Sequence, residues 1–170
     1  ELSMIREVEG DILLSKAQLI AHGIAPQEHF DTGLARSLRE RWPSLVRDYR
    51  QSTHVHPLKP GEIWAWGGVN EDGSVRRIVN LLTQDMLGEG PAARPGKANT
   101  ENVSRALKEL ARFVESEGIE SLAIPRLATG VGGLEWSEVK PLVEKHLADL
   151  KIPVIVYETY RQGEAAQEGL

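Results

Sequence analysis

The sequence predicts an α/β domain, with helices packed on both faces of a mostly parallel sheet. Three observations carry that expectation. Short apolar runs alternate along the chain with longer segments whose apolar residues recur at helical spacing. The runs are almost continuously apolar, as in strands covered on both sides. The chain has 170 residues, 41% hydrophobic and 26% charged, which suits one core and would be cramped for two.

The elements follow in order. A strand over 5–8 leads into Gly10-Asp11, and a short buried strand covers 19–21. Thr32 can cap a helix carrying Leu34 and Leu38 at i, i+4, which ends near Trp42-Pro43. A second helical piece runs over 44–50. Pro60-Gly61 starts a strand over 62–66, whose Trp64 and Trp66 face one side and suit helix packing better than ligand stacking. Gly67-Gly68 and Asp72-Gly73 suggest a turn before a strand over 76–82. Asn99 or Thr100 caps a long helix striped by Val103, Leu107, Leu110 and Val114, which Gly118 stops. A strand over 122–124 follows. Ser137 is expected to cap a helix with Val139, Leu142, Val143, Leu147 and Leu150 on one face and Pro141 in its first turn. Residues 153–157 form the last strand. Residues 87–97, rich in Gly and Pro, and the polar tail from 162 onward read as poorly ordered.

Composition narrows the function. With no cysteine, disulfides, thiolate zinc sites and a Cys nucleophile are excluded. A net charge of −5 argues against gripping nucleic acid mainly through phosphates. Arg36, Arg39, Arg41, Arg47 and Arg50 crowd one stretch. They read as a solvated helical face, with a local phosphate contact as the alternative. No run is long and apolar enough for a membrane span, and the acidic start at Glu1, Glu7 and Glu9 does not resemble a secretory leader. The expectation is a cytoplasmic chain with no membrane association. Met4 can be the natural start, which would make Glu1, Leu2 and Ser3 an expression-tag remnant and residues 1–4 that remnant plus the start.

In such sheets ligands bind beyond the carboxyl ends of the strands, so the loops after strands are where chemistry belongs. Two stand out. One covers 22–31 (HGIAPQEHFD) and enters a helix at Thr32-Gly33-Leu34. The other covers 125–136 (PRLATGVGGLEW). Gly130, Gly132 and Gly133 let main-chain N–H groups approach an anion, and the following helix N-terminus adds a favourable field. Tight turns use glycine too, so the loop alone leaves both readings open. Its spacing matches neither the dinucleotide fingerprint nor a P-loop.

Together, Gly10-Asp11-Ile12, Ile20-Ala21-His22, Thr32-Gly33-Leu34-Ala35 and Pro125-Arg126-Leu127 running to Gly130-Val131-Gly132-Gly133-Leu134-Glu135-Trp136 resemble the macrodomain family. The resemblance covers about 5–157. It is greatest to the branch holding the terminal ADP-ribose glycohydrolase and the antitoxin macrodomains that reverse DNA ADP-ribosylation. It implies a three-layer α/β/α macrodomain with a mixed, mostly parallel central sheet over 5–160, followed by a flexible tail at 161–170. It further implies that Asp11 accepts from the adenine amino group and Ile12 offers a main-chain contact. A turn or capping carboxylate is the alternative for Asp11. The first loop, with His22, Thr32, Gly33 and Leu34, would wrap the distal ribose. Thr129, Gly130, Val131, Gly132 and Gly133 would cradle the diphosphate, and Tyr157 would flank the adenine.

The chain departs from that branch at its chemistry. Where the branch has a lysine after the central strand, Gln84 stands here. Where it has a carboxylate in the second loop, Gly132 stands here. A lysine-linked intermediate at position 84 is excluded. The candidate catalytic set is therefore His22, His29, Asp31 and Gln84, in which a histidine moves a proton and a carboxylate orients a water. The plain alternatives are a buried strand-end histidine at His22 and an exposed loop histidine at His29. Lys97 can swing in or stay solvated. His54 and His56 read as a polar loop, and His146 as structural or exposed. No metal and no cofactor are expected. The partners would be ADP-ribose or ADP-ribosylated protein or nucleic acid, bound by a monomer. An ADP-ribosyl hydrolase, a non-catalytic ADP-ribose reader and an ADP-ribose 1″-phosphate phosphatase all remain open.

Overall fold

The computed structural model describes residues 4–170. The expected expression-tag remnant at residues 1–3 lies outside the described residues. Eight strands and four α-helices follow the chain: β1 (Ile5–Gly10), β2 (Leu19–Ile24), α1 (Gly33–Arg41), α2 (Pro43–Val55), β3 (Ile63–Val69), β4 (Val75–Leu82), β5 (Gln84–Leu87), β6 (Arg94–Ala98), α3 (Thr100–Ser116), β7 (Leu122–Pro125), α4 (Trp136–Leu147) and β8 (Val154–Tyr160). Six strands form one sheet in the order β1-β8-β7-β2-β4-β3. Every pair is parallel except β3 with β4, so the sheet is mixed and mostly parallel, as expected.

Side chains alternate across this sheet with period 2. Leu19, Ala21, Val79, Leu81, Leu122, Ile124, Val154 and Val156 bury one face against α3 and α4. Ile20, Ile78, Ala123, Ile155 and Tyr157 bury the other face with Leu38, Trp42 and Leu45 of the α1–α2 layer. Each Val, Leu or Ile among them contributes about 1.5–3 kcal/mol when fully buried. The two tryptophans of β3 do pack on a helix. The indole of Trp66 donates to Asp48 at 2.9 Å and that of Trp64 to Ser52 at 3.1 Å, both on α2. Asn99 caps α3 by accepting from the Asn102 amide at 2.8 Å.

Several expectations change. The helix after Pro43 runs to Val55, because Pro43 fits its first turn and Leu45, Val46 and Tyr49 are buried. Gly67 and Gly68 lie within β3, and the turn sits at Asn70 to Ser74, where the Asn70 amide donates to the Ser74 carbonyl at 2.8 Å. Glu135, not Ser137, caps α4 through a reciprocal capping box with Glu138, and Pro141 therefore falls inside the helix. Residues 87–97 are not a loose loop. Strands β5 and β6 form a two-stranded hairpin there.

The tail differs most from its expected flexibility. The Glu168 carboxylate is buried, accepting from Ser15 Oγ (2.5 Å), the Lys16 amide (2.9 Å) and Tyr157 Oη (2.7 Å). Asp11 and Glu164 bond through the main chain at 2.7 Å, and the Arg161 amide reaches the Gly10 carbonyl at 3.0 Å. The tail is a strap laid across the start of β1 and its exit.

Candidate functional site

The five parallel strands point one way, so their ends at Gly10, Tyr160, Pro125, Ile24 and Leu82 line one rim. Two joined cavities occupy that rim. One, of 660 Å³, lies between the loop after β2 and the loop after β7. The other, of 400 Å³, continues from it past Leu34, Pro125, Tyr157 and Tyr160, which line both.

The loop after β7 is shaped by its main chain. The Leu134 amide donates to Ala128 O (3.0 Å), Gly133 to Gly130 O (3.1 Å), and Ala98 of β6 to Gly132 O (3.0 Å). Ala128 and Gly133 take positive φ, 62° and 80°. A Cβ on Gly132 would stand 2.6 Å from Ala128 O, so that position requires glycine. These bonds leave the amides of Thr129, Gly130, Val131 and Gly132 without an acceptor among the described residues, on the cavity wall. The field expected from α4 is weaker than supposed, because Glu135 and Glu138 already fill its N-terminus. The open helix end belongs to α1. Its Thr32 makes no side-chain cap bond, and Gly33, Leu34 and Ala35 line the same cavity as Gly130 and Gly132.

The loop after β2 is held by side chains. Glu28 accepts from the Ala25 amide (3.3 Å) and the Phe30 amide (3.0 Å). Phe30 takes φ 56° with its ring fully buried, edge-on to Tyr49 at 5.7 Å. Tyr49 Oη donates to Pro26 O at 2.7 Å, and burial raises its pKa well above the ordinary phenol value. Arg50 donates to the His29 carbonyl at 3.3 Å. This frame presents His29, Asp31 and Thr32 to the cavity as exposed side chains.

Below them His22 is buried, its Nε2 2.7 Å from Asn80 Oδ1. Desolvation pushes its pKa down to about 4, only partly opposed by Asn80. His22 is thus neutral near pH 7, and it lines the cavity as a fixed polar group. Gln84 is also buried and lines the same cavity, donating through Nε2 to Gly96 O at 2.9 Å. The Lys97 ammonium does not line the cavity. It lies beside the glycine loop, 3.4 Å from where a Cβ on Gly133 would stand.

At the far end, Ile12 and Tyr157 line the 400 Å³ cavity together with Gly33 and Leu34. Asp11 does not. Its carboxylate accepts from the Leu13 amide (3.0 Å) and the Gly163 amide (2.9 Å), which is the capping role weighed for it, and it faces an adjacent cavity. Sequence reasoning missed Glu28, Asn80, Tyr160 and Gln162. Glu28 had a readable signal, a carboxylate two residues before a loop aromatic, while the others depend on contacts far apart in sequence. His54 lies in the last turn of α2, His146 Nε2 lies 2.7 Å from Ser104 Oγ, and no cluster of possible metal ligands occurs among the described residues.

A family model described as the Macro domain matches residues 27–143. The chain is similar to a DNA ADP-ribosyl transferase–DNA ADP-ribosyl glycohydrolase fusion protein of Thermosipho africanus, 30% identical over 88% of this chain and 40% of that protein. It is also similar to the human ADP-ribose glycohydrolase OARD1, 24% identical over 92% of this chain and 93% of that protein. A solved structure, Thermosipho africanus DarTG in complex with ADP-ribose, superposes with a TM-score of 0.78 at 24% identity, covering 95% of this chain and 42% of that one. The chain thus spans about two fifths of the first relative's length. With the sheet order, the glycine loop and the family match over most of its length in agreement, this chain belongs to the macro domain family.

Proposed function

We propose that the chain binds ADP-ribose along the joined cavities and hydrolyses its bond to a modified protein or nucleic acid. One observation carries the binding: free amides at Thr129 to Gly132 and the uncapped start of α1 line one cleft, which continues into an apolar, aromatic cavity. A diphosphate fits between the two amide sets without lysines. The base then lies among Leu34, Tyr157 and Tyr160, and the distal ribose under the first loop. The similar proteins from Thermosipho africanus and human are named glycohydrolases, which supports hydrolysis.

Chemistry falls to the first loop. Asp31 orients a water toward the anomeric carbon, and His29 exchanges the proton. His22, neutral and fixed by Asn80, positions the ribose by hydrogen bonding. Gln84 supplies no nucleophile, since its amide is committed to Gly96. Holding the ribose and diphosphate in one pose lowers the rest of the barrier. That committed glutamine, with Gly132 in the opposite loop, also favours a second reading, a binder without chemistry.

Incubation with ADP-ribosylated protein, ADP-ribosylated DNA and ADP-ribose 1″-phosphate, followed by assay of free ADP-ribose, separates the readings. Release from protein or DNA supports the hydrolase. Release from the 1″-phosphate alone means a phosphatase. Tight binding with no release means a reader, and no binding overturns the site itself.

A further inference from the structure

We propose that the ion pair of Arg126 and Glu158 reads the 2′ position of the ribose next to the base, and so selects ADP-ribose over its 2′-phosphorylated form. This rests on the ADP-ribose reading above. With the base among Leu34, Tyr157 and Tyr160 and the diphosphate at Thr129 to Gly132, that ribose lies between them. Pro125 and Tyr157 are partners across β7 and β8, and both line the two cavities. The residues that follow them, Arg126 and Glu158, line only the larger cavity of the two. Thr129 Oγ donates to the Arg126 carbonyl at 2.9 Å, which ties this position to the amide loop. Arg126 is the one Arg or Lys among the described residues lining that cavity. Of its carboxylates, Glu28 and Asp31 belong to the loop after β2, and Glu158 is the acid beside the base end.

The pair is set before any ligand arrives. Arg126 Nη2 donates to Glu158 Oε1 at 2.9 Å, and the guanidinium carbon lies 5.8 Å from the centre of the Trp136 ring at the start of α4. Both side chains stay open to solvent, at 40% and 36% exposure, where an ion pair stabilises the fold little. A guanidinium has five N–H donors, so the bond to Glu158 leaves others for a ligand. A 2′-hydroxyl both donates and accepts, and it can donate to Glu158 while accepting from Arg126. Nucleotide sites use a carboxylate to select a free 2′-hydroxyl and an arginine to admit a 2′-phosphate. Here the two are paired. A 2′-phosphate brings negative charge against Glu158 and meets a guanidinium already engaged.

The test compares, by calorimetry, ADP-ribose, its 2′-phosphate and its 2′-deoxy analogue, all altered at the ribose next to the base, on the full chain, Glu158→Gln and Arg126→Ala. Affinity ratios within one protein do not depend on how much of it is folded. The unaltered chain is expected to prefer ADP-ribose about tenfold over both analogues, as for one hydrogen bond to a charged group. Glu158→Gln should erase the preference over the 2′-phosphate, because the repelling charge is gone and the guanidinium is freed. Arg126→Ala should sharpen that preference, because Glu158 then stands unopposed. Equal affinity of the unaltered chain for the three ligands, or a preference over the 2′-phosphate that survives Glu158→Gln, overturns the proposal. Equal weakening of all three by Arg126→Ala means that Arg126 serves the diphosphate, and overturns it as well. Failure of the unaltered chain to bind ADP-ribose instead overturns the reading beneath it.

Discussion

The loops that face each other across the cleft are built on different principles. The loop after β7 is pinned by main-chain bonds, its own and one to β6, and it offers no ionisable side chain between Thr129 and Leu134. The loop after β2 is pinned by the side chains of Glu28, Phe30 and Tyr49, and it presents His29 and Asp31. A fixed set of amides can hold a charge without reorganising, which suits binding. Groups that exchange protons must meet water and substrate, which suits the loop after β2. Binding and chemistry should therefore separate by loop.

The hardest test of that separation is Gly132→Glu. The side chain would start 2.6 Å from Ala128 O, so the loop must shift and its amides fall out of line. ADP-ribose affinity should fall by about a hundredfold or more, as the charge-assisted bonds proposed for those amides are lost. Calorimetry that finds the affinity unchanged would remove the diphosphate from this loop.

The base of the first loop gives the next effect. Folded His22 titrates at about 4 against 6.5 unfolded, so the unfolded chain binds the extra proton between those values. Stability contributed by neutral His22 is present above pH 6.5 and is lost as pH falls toward 4, amounting to about 3 kcal/mol. Denaturant unfolding at pH 7, 5.5 and 4 should show this slope, and His22→Gln should flatten it. If the variant keeps the wild-type slope, the buried histidine is not its source.

What could be read from the sequence follows the same division. A main-chain site writes itself in glycines, so Gly130, Gly132 and Gly133 were visible before any coordinates. The sheet was visible because its strands are apolar on both faces. The strap was not, because Glu168 works through Ser15 and Tyr157, and polarity alone reads as disorder. The β5–β6 hairpin was hidden by its glycines and prolines, although it presses Ala98 against Gly132. Asp11 was visible as the carboxylate after Gly10, whereas its bond to the Gly163 amide depends on a contact far away in sequence.

At the loop tip, Asp31→Ala and His29→Ala should each slow release of ADP-ribose about a hundredfold, the low end for general acid–base catalysis, and leave affinity within about threefold. Single-turnover rates alongside calorimetry separate the two quantities. Equal loss of both would mean that the first loop grips the ligand and does not act on it.

The smallest effect probes whether any side chain assists the amide loop. The Lys97 stem lies 3.2 Å from where a Cβ on Gly133 would stand, and its ammonium is exposed and makes no ion pair among the described residues. An exposed cation near a diphosphate adds little, because water and salt screen it. Lys97→Ala should weaken ADP-ribose about two- to fivefold at low salt, with the difference vanishing near 0.5 M salt as the screening length shortens. A loss far larger than that, persisting in salt, would mean that the phosphates are held by a charge rather than by main-chain amides, and the division between the two loops would have to be redrawn.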